Sequence, residues 1–197
     1  MNITFIIRIG LVSALLTAMG CTSAVVTPMP QAVRRIAVLP PYYPGAADTP
    51  TASSDRDPLR PLQMTVGDVL AQQARARLAE KGLEVIDPVV VKVATKDRTP
   101  TSPQMAAQIM EDAHLDASAL YIEVLRWEPM PDSRALKADG IIVALDVAIV
   151  DPKTGTILWQ VHRPSRPVPI YGIVLTGQAN VFVAETVMKE VFAQSHD

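Results

Sequence analysis

The strictest condition on how this chain folds is set by eleven residues, GIIVALDVAIV, from Gly140 to Val150. In an extended strand, successive side chains point to opposite faces. Ile141, Val143, Leu145, Val147 and Ile149 therefore share one face, and Ile142, Ala144, Asp146, Ala148 and Val150 share the other. Both faces are apolar apart from Asp146. A strand of this kind is stable only inside a sheet that is covered by other elements. A carboxylate within it needs a partner or a route to water, so the expected role of Asp146 is an ion pair or an exposed position rather than catalysis.

The neighbouring segments supply the rest of that sheet. SALYIEVLRW before it and GTILWQVHR after it carry β-branched and aromatic residues at strand length, and DPKTG joins the last two as a hairpin with Gly155 in the easy left-handed position. Nearer the amino end, Ile36 to Leu39 is an unbroken apolar run stopped by Pro40 and Pro41, as expected of a central strand. Thr65 and Asp68 form a capping box at the start of a helix that ends at Gly82, with Leu62, Val66, Val69, Leu70, Ala74 and Leu78 on its core stripe and Gln72, Arg75 and Lys81 outside it.

LEVIDP is a short strand; in the following VVVKVATKDRTPTS the valines either extend it or begin a short helix, and periodicity leaves both open. Ser102 and Pro103 start a further helix with Met105, Ile109 and Ala113 on its buried side. A terminal helix places Val181, Ala184, Val187, Met188, Val191 and Phe192 at core spacing. The expected fold class is α/β, in the order βαβαβββα, with a mixed sheet, a C-terminal hairpin and a terminal helix. With 197 residues, 49% of them apolar, the chain suits one domain of two or three layers.

The amino end reads differently. Met1 to Arg8 is a short charged region and Ile9 to Ala18 an apolar stretch of signal-peptide length, too short to span a bilayer. Ala18-Met19-Gly20-Cys21 follows, and Cys21 is the only cysteine. This looks like a bacterial lipobox, in which the cysteine receives a thioether-linked diacylglycerol before cleavage in front of it; the usual leucine of its first position is here Ala18. Residues 1–20 are then a signal peptide, residues 21–32 a lipidated tether and residues 33–197 one periplasmic domain. The Pro-, Thr- and Ser-rich Thr22 to Ala32 has no period and reaches at most about 40 Å when extended. Several acyl chains hold a protein on a membrane essentially permanently. Thr22, where an aspartate would favour inner-membrane retention, points to the outer membrane.

Several chemistries find no support. A net charge of −2, without a basic run, gives no footprint for nucleic acid. A single cysteine forms no internal disulfide. His114, His162 and His196 are scattered, with no pair at metal-ligand spacing, so no metal site is expected. Neither a nucleophile elbow nor a phosphate-binding glycine loop is present, and no cofactor or enzymatic activity is expected. Glu111, Asp112 and Asp116 around His114 read as a solvated surface. The long aperiodic connection from Tyr42 to Pro61 is a candidate contact segment. Tyr42 and Tyr43 are its foremost interaction residues, with Trp127 and Trp159 as strand aromatics that cover a core edge or form a ligand platform.

RRIAVLPP, RARLAEKGLEVI, LDASALYIEVLRWE and VALDVAIVDPKTGTILW, spread over Val33 to Trp159, together resemble the GNA-type lipoproteins, a proteobacterial family of unknown function. The resemblance implies a fold related to the periplasmic α/β domains of CsgG, LpoB and the TolB amino-terminal domain, which work by protein contact, and a gene often found beside a CsgG-like lipoprotein. VHRPSRPVPIYGIV departs from the family pattern, where a Ser- and Asn-rich stretch is expected. Two functions follow as expectations. One is a non-enzymatic envelope lipoprotein that docks on another envelope lipoprotein or on its own copies. The other is a periplasmic small-ligand or glycan-binding domain that uses the Tyr42–Pro61 segment.

Overall fold

The computed structural model describes residues 29–30, 32–44, 65–130, 139–170 and 176–193. The signal segment, Cys21, most of the tether, the greater part of the Tyr42–Pro61 connection, Leu62 and His196 lie outside them.

The described elements are β1 (Arg35–Val38), α1 (Val66–Glu80), β2 (Glu84–Val85), α2 (Pro88–Thr95), α3 (Pro103–Asp112), β3 (Ser118–Pro129), β4 (Asp139–Val150), β5 (Ile157–Ile170) and α4 (Thr176–Ala193). They form one five-stranded sheet in the order β2-β1-β3-β4-β5. β1 runs parallel to both β2 and β3, and β3, β4 and β5 form an antiparallel meander. This is the expected α/β architecture with its mixed sheet, C-terminal hairpin and terminal helix. The open question after β2 resolves as a helix, α2, whose start is fixed by Asp87 accepting from the Val89 and Val90 amides and by Pro88 in the first turn.

The two apolar faces of β4 explain the layering. Val143, Leu145, Val147 and Ile149 join Ile36, Leu120 and Ile122 in a core closed by α1 and α4. On the other face Ala148 and Val150, with Ala37, Leu39, Ala119 and Tyr121, pack against Val91 of α2 and Ala106, Ile109 and Met110 of α3. The domain therefore has three layers. Each fully buried Leu, Ile or Val contributes about 1.5–3 kcal/mol relative to exposure, which is why a doubly apolar strand settles at neither edge.

Local signals hold at the helix ends. The Thr65–Asp68 capping box forms in both directions. Gly82 adopts φ +81°, and the amides of Gly82 and Leu83 return to the carbonyls of Ala79 and Leu78, a Schellman closure that only a residue tolerant of positive φ makes without strain. Ser102 accepts from the Met105 amide at 3.2 Å. At the hairpin Gly155 has φ +67° and its amide donates to the Asp151 carbonyl at 2.8 Å.

Three expectations need correction. Met105 is exposed and Ala113 half-buried, because α3 turns its small residues Ala106 and Ala107, with Ile109 and Met110, toward an alanine-lined stretch of sheet. Val181 is exposed, because the side of α4 turned to the core is that of Val183, Ala184 and Val187. β5 runs on through Pro164, Pro167 and Pro169 to Ile170, beyond the expected end near Arg163. Proline donates nothing to a ladder, but among the described residues β5 is an edge strand with only β4 beside it, so outward-facing proline nitrogens lose no bond.

Candidate functional site

Topology gives the domain two unlike poles. The tether arrives at the amino end of β1, where Ala32 and Arg34 lie beside Asp116 and the Asp151–Lys153 turn. Two connections leave from the opposite pole, from Met130 to Asp139 and from Ile170 to Thr176, and a third, from Pro44 to Thr65, leaves part-way along the sheet, after Tyr42 has paired beside Glu123 of β3. The described ends of the first two meet there, since Asp139 pairs with Ile170 and the Met130 amide donates to the Gly140 carbonyl at 2.8 Å. A twelve-residue strand such as β4 separates the poles by about 40 Å.

A crevice of about 400 Å³ lies between the carboxyl end of β1 and the first turns of α1 and α2, at the level of Leu120 to Ile122 on β3. Here β1 connects through α1 to β2 on one side and has β3 on the other, so the crevice occupies the switch point at which open α/β sheets gather their ligands. Val38, Leu39, Pro40, Pro41, Ala71 and Val91 make its apolar wall. Thr65, Gly67, Asp68, Arg75, Lys92 and Asp97 supply its polar atoms.

The charges of the crevice are unequally engaged. Asp68 Oδ2 accepts from the Thr65 amide at 3.0 Å and from its hydroxyl at 2.7 Å. Lys92 Nζ faces Asp97 Oδ2 at 3.3 Å. Partial burial lowers the pKa of Arg75, against the opposing pull of Asp68 and Asp87, although a guanidinium stays charged at any physiological pH. Sequence reasoning placed Arg75 outside the apolar stripe of α1 and took it no further. The signal that singles it out is topological: a central strand, a long connection and a helix together define the switch point.

Tyr42 and Tyr43 are tied into the fold. Tyr42 extends the sheet beside β3, its amide donating to the Ile122 carbonyl and its carbonyl accepting from the Val124 amide, each at 2.8 Å. Its ring packs with the α3-side core, whereas Tyr43 packs with the α4-side core and donates its hydroxyl to the Trp127 carbonyl at 3.3 Å. The two rings thus lie on opposite faces and make no common stacking surface. Trp127 and Trp159 are both buried. Trp127 Nε1 donates to Asn180 Oδ1 at 3.3 Å, and Trp159 stacks on Phe192 with centroids 5.7 Å apart. They cover the core and form no external platform.

Asp146 finds both remedies its position demanded. Its Oδ1 lies 2.6 Å from His162 Nδ1 on β5, at the water-facing part of the sheet. Tyr42, Glu123, Asp146 and His162 are successive neighbours across the strands, with the Tyr121 hydroxyl donating to Glu123 at 3.0 Å. His114 is exposed at positive φ; nearby, Asp112 pairs with Arg98 and Asp116 with Lys153, a solvated surface. Among the described residues no three His, Cys, Asp or Glu side chains are placed to hold a metal ion, and no helix is long and apolar enough to cross a membrane.

No protein-family model matches the chain, and no curated protein matches it. Among solved structures, the lipoprotein GNA1162 from Neisseria meningitidis is 18% identical with a TM-score of 0.47, covering 80% of this chain and 97% of its own. A PelC dodecamer from Paraburkholderia phytofirmans is 14% identical with a TM-score of 0.48, over 86% of this chain and 91% of that one. The hypothetical protein CT253 from Chlamydia trachomatis is 16% identical with a TM-score of 0.46, over 83% and 94%. Bacterial lipoproteins are thus among the structures this chain is similar to, at values that carry no argument about activity or assembly.

Proposed function

We propose that this chain is a non-enzymatic lipoprotein of the bacterial envelope that works by contact with other envelope proteins or with its own copies. The observation that supports this reading is the polarity of the domain. The tether leading from Cys21 enters at one pole, and the connections after Pro44, Met130 and Ile170 leave on the side away from it. Such an arrangement turns these connections away from the lipid and toward whatever stands in the periplasm. Loops held at their ends by a rigid sheet are well suited to recognition. In this reading Cys21 carries the diacylglycerol, the anchoring membrane is the outer one, and kinship with CsgG, LpoB and TolB rests on the sequence resemblance alone.

The test has two arms. Cys21→Ser should abolish palmitate labelling and release the domain into the soluble periplasm; labelling that persists in this variant ends the anchor assignment. Replacing residues 45–61 by a few Gly and Ser, in a chain shown still to fold, should change the sedimenting mass or the set of cross-linked envelope proteins. An unchanged mass and set would remove the connection from the contact surface.

A further inference from the structure

We propose that the crevice at the carboxyl end of β1 binds a carboxylate carried on a short apolar stem, with Arg75 recognising the carboxylate. The inference is independent of the lipid anchor and of the docking role.

The argument begins with unused hydrogen-bonding capacity. Arg75 lines the crevice from the second half of α1, yet its guanidinium makes no hydrogen bond or ion pair of its own among the described residues. The other charged groups there are engaged: Asp68 by the capping box, Lys92 by Asp97. A planar fork of N–H donors is matched by the two oxygens of a carboxylate, each receiving one hydrogen bond.

The lining also limits the ligand's charge. Two cations, Arg75 and Lys92, stand against two lining carboxylates, Asp68 and Asp97, and Asp87 beside the crevice also acts on Arg75, so the site has no surplus positive charge. A monoanion that pairs with Arg75 is tolerated, whereas a phosphate dianion would face both carboxylates without compensation. Pro88, at the start of α2, has no amide hydrogen to offer an anion, which leaves the guanidinium as the recognising group on that side. Around it Leu39, Pro40, Pro41 and Val91 form an apolar wall. A crevice of about 400 Å³ is at the small end of ligand sites, with room for a branched acid or the last residue of a peptide.

The full-length chain in detergent is titrated, by NMR shifts or calorimetry, with three probes: 4-methylpentanoate, its amide, and N-acetyl-alanyl-leucine with a free carboxylate. The wild type should bind at least one carboxylate probe at millimolar concentration or below, the amide at least tenfold more weakly, and inorganic phosphate not at all. Arg75→Gln should weaken carboxylate binding at least tenfold. Arg75→Lys, which keeps the charge and loses the fork, should fall between, and this variant with the amide decides the matter if Arg75→Gln does not fold. Tighter binding of the peptide identifies a chain terminus as the ligand, and tighter binding of the free acid a small metabolite. No binding of either carboxylate, equal binding of the amide, or undiminished binding by the Arg75 variants would overturn the proposal.

Discussion

Arg163 Nε donates to Glu190 Oε2 across 2.7 Å, which ties the edge strand β5 to the terminal helix α4. Arg163 is only 3% exposed although it lies in a strand that faces water over much of its length. The reason is the irregularity between Arg163 and Arg166, where pairing with β4 shifts register. The guanidinium folds into that irregularity, its Nη1 donating to the Val143 carbonyl at 2.5 Å and to the Arg166 carbonyl at 3.5 Å.

The two partners of this ion pair are not equivalent. Glu190 is about half exposed, and water partly replaces it when it is removed, so Glu190→Ala should cost about 1–2 kcal/mol. Arg163→Ala also strips a donor from buried carbonyls and leaves a void, and should cost roughly 3–5 kcal/mol. Thermal unfolding of both variants checks the order. A Glu190 variant less stable than the Arg163 variant would show that the bulge is held by some other contact.

The layered core can be tested with two substitutions of similar chemistry. Leu145→Asp puts a carboxylate at a position that is 0% exposed, where burying an unpaired charge costs several kcal/mol, enough to remove the stability of a typical domain. Val93→Glu puts one at a position that is 73% exposed and should change stability by no more than about 0.5 kcal/mol. Soluble yield and melting temperature read both. A folded Leu145 variant would mean that the strand has been assigned to the wrong layer.

Tyr121 makes alkaline stability measurable. Its hydroxyl is raised well above the ordinary tyrosine pKa of 10, first by burial and then by its hydrogen bond to Glu123, with Asp146 adding to the effect. The folded state therefore keeps this proton at a pH where the unfolded chain has lost it. Stability contributed by the neutral phenol is complete below about pH 10 and falls above it, with a limiting slope of about 1.4 kcal/mol per pH unit from this group. Tyr121→Phe should lose stability at neutral pH with the hydrogen bond, and its stability should fall less steeply between pH 10 and 11. Parallel curves for the two proteins would assign the alkaline fall to other groups.

Much of this fold was legible because its strongest signals are local. The alternation in Gly140–Val150 fixes a strand apolar on both faces, and the Thr65–Asp68 and Ser102–Pro103 signatures fix helix starts through bonds within one turn. Where the answer depends on what lies beside a segment, the sequence was silent. Proline is expected to end a strand, and only the edge position of β5 explains why Pro164, Pro167 and Pro169 do not. Met105 and Ala113 share a helical phase with Ile109, yet the alanine-lined sheet draws Ala106 and Met110 inward instead. Tyr42 and Tyr43 look like a pair along the chain, but one residue of extended backbone sends them to opposite faces. Arg75 carries no motif, and only the convergence of β1, α1 and α2 gives it a crevice to line.

The position of β1 also bears on mechanical load. If Cys21 holds the chain to a membrane and a partner holds the far pole, tension enters the domain through Val33 and Arg35. It then runs along a four-residue strand clamped between β2 and β3. The bonds there include Glu84 to the Arg34 carbonyl, Ile86 to that of Ile36, Leu39 to that of Leu120 and Tyr42 to that of Ile122. All of them lie across the direction of pull. They are strained together in shear instead of opening one after another from an end, so a short central strand gives the tether a firmer root than a longer strand peeled from an edge would.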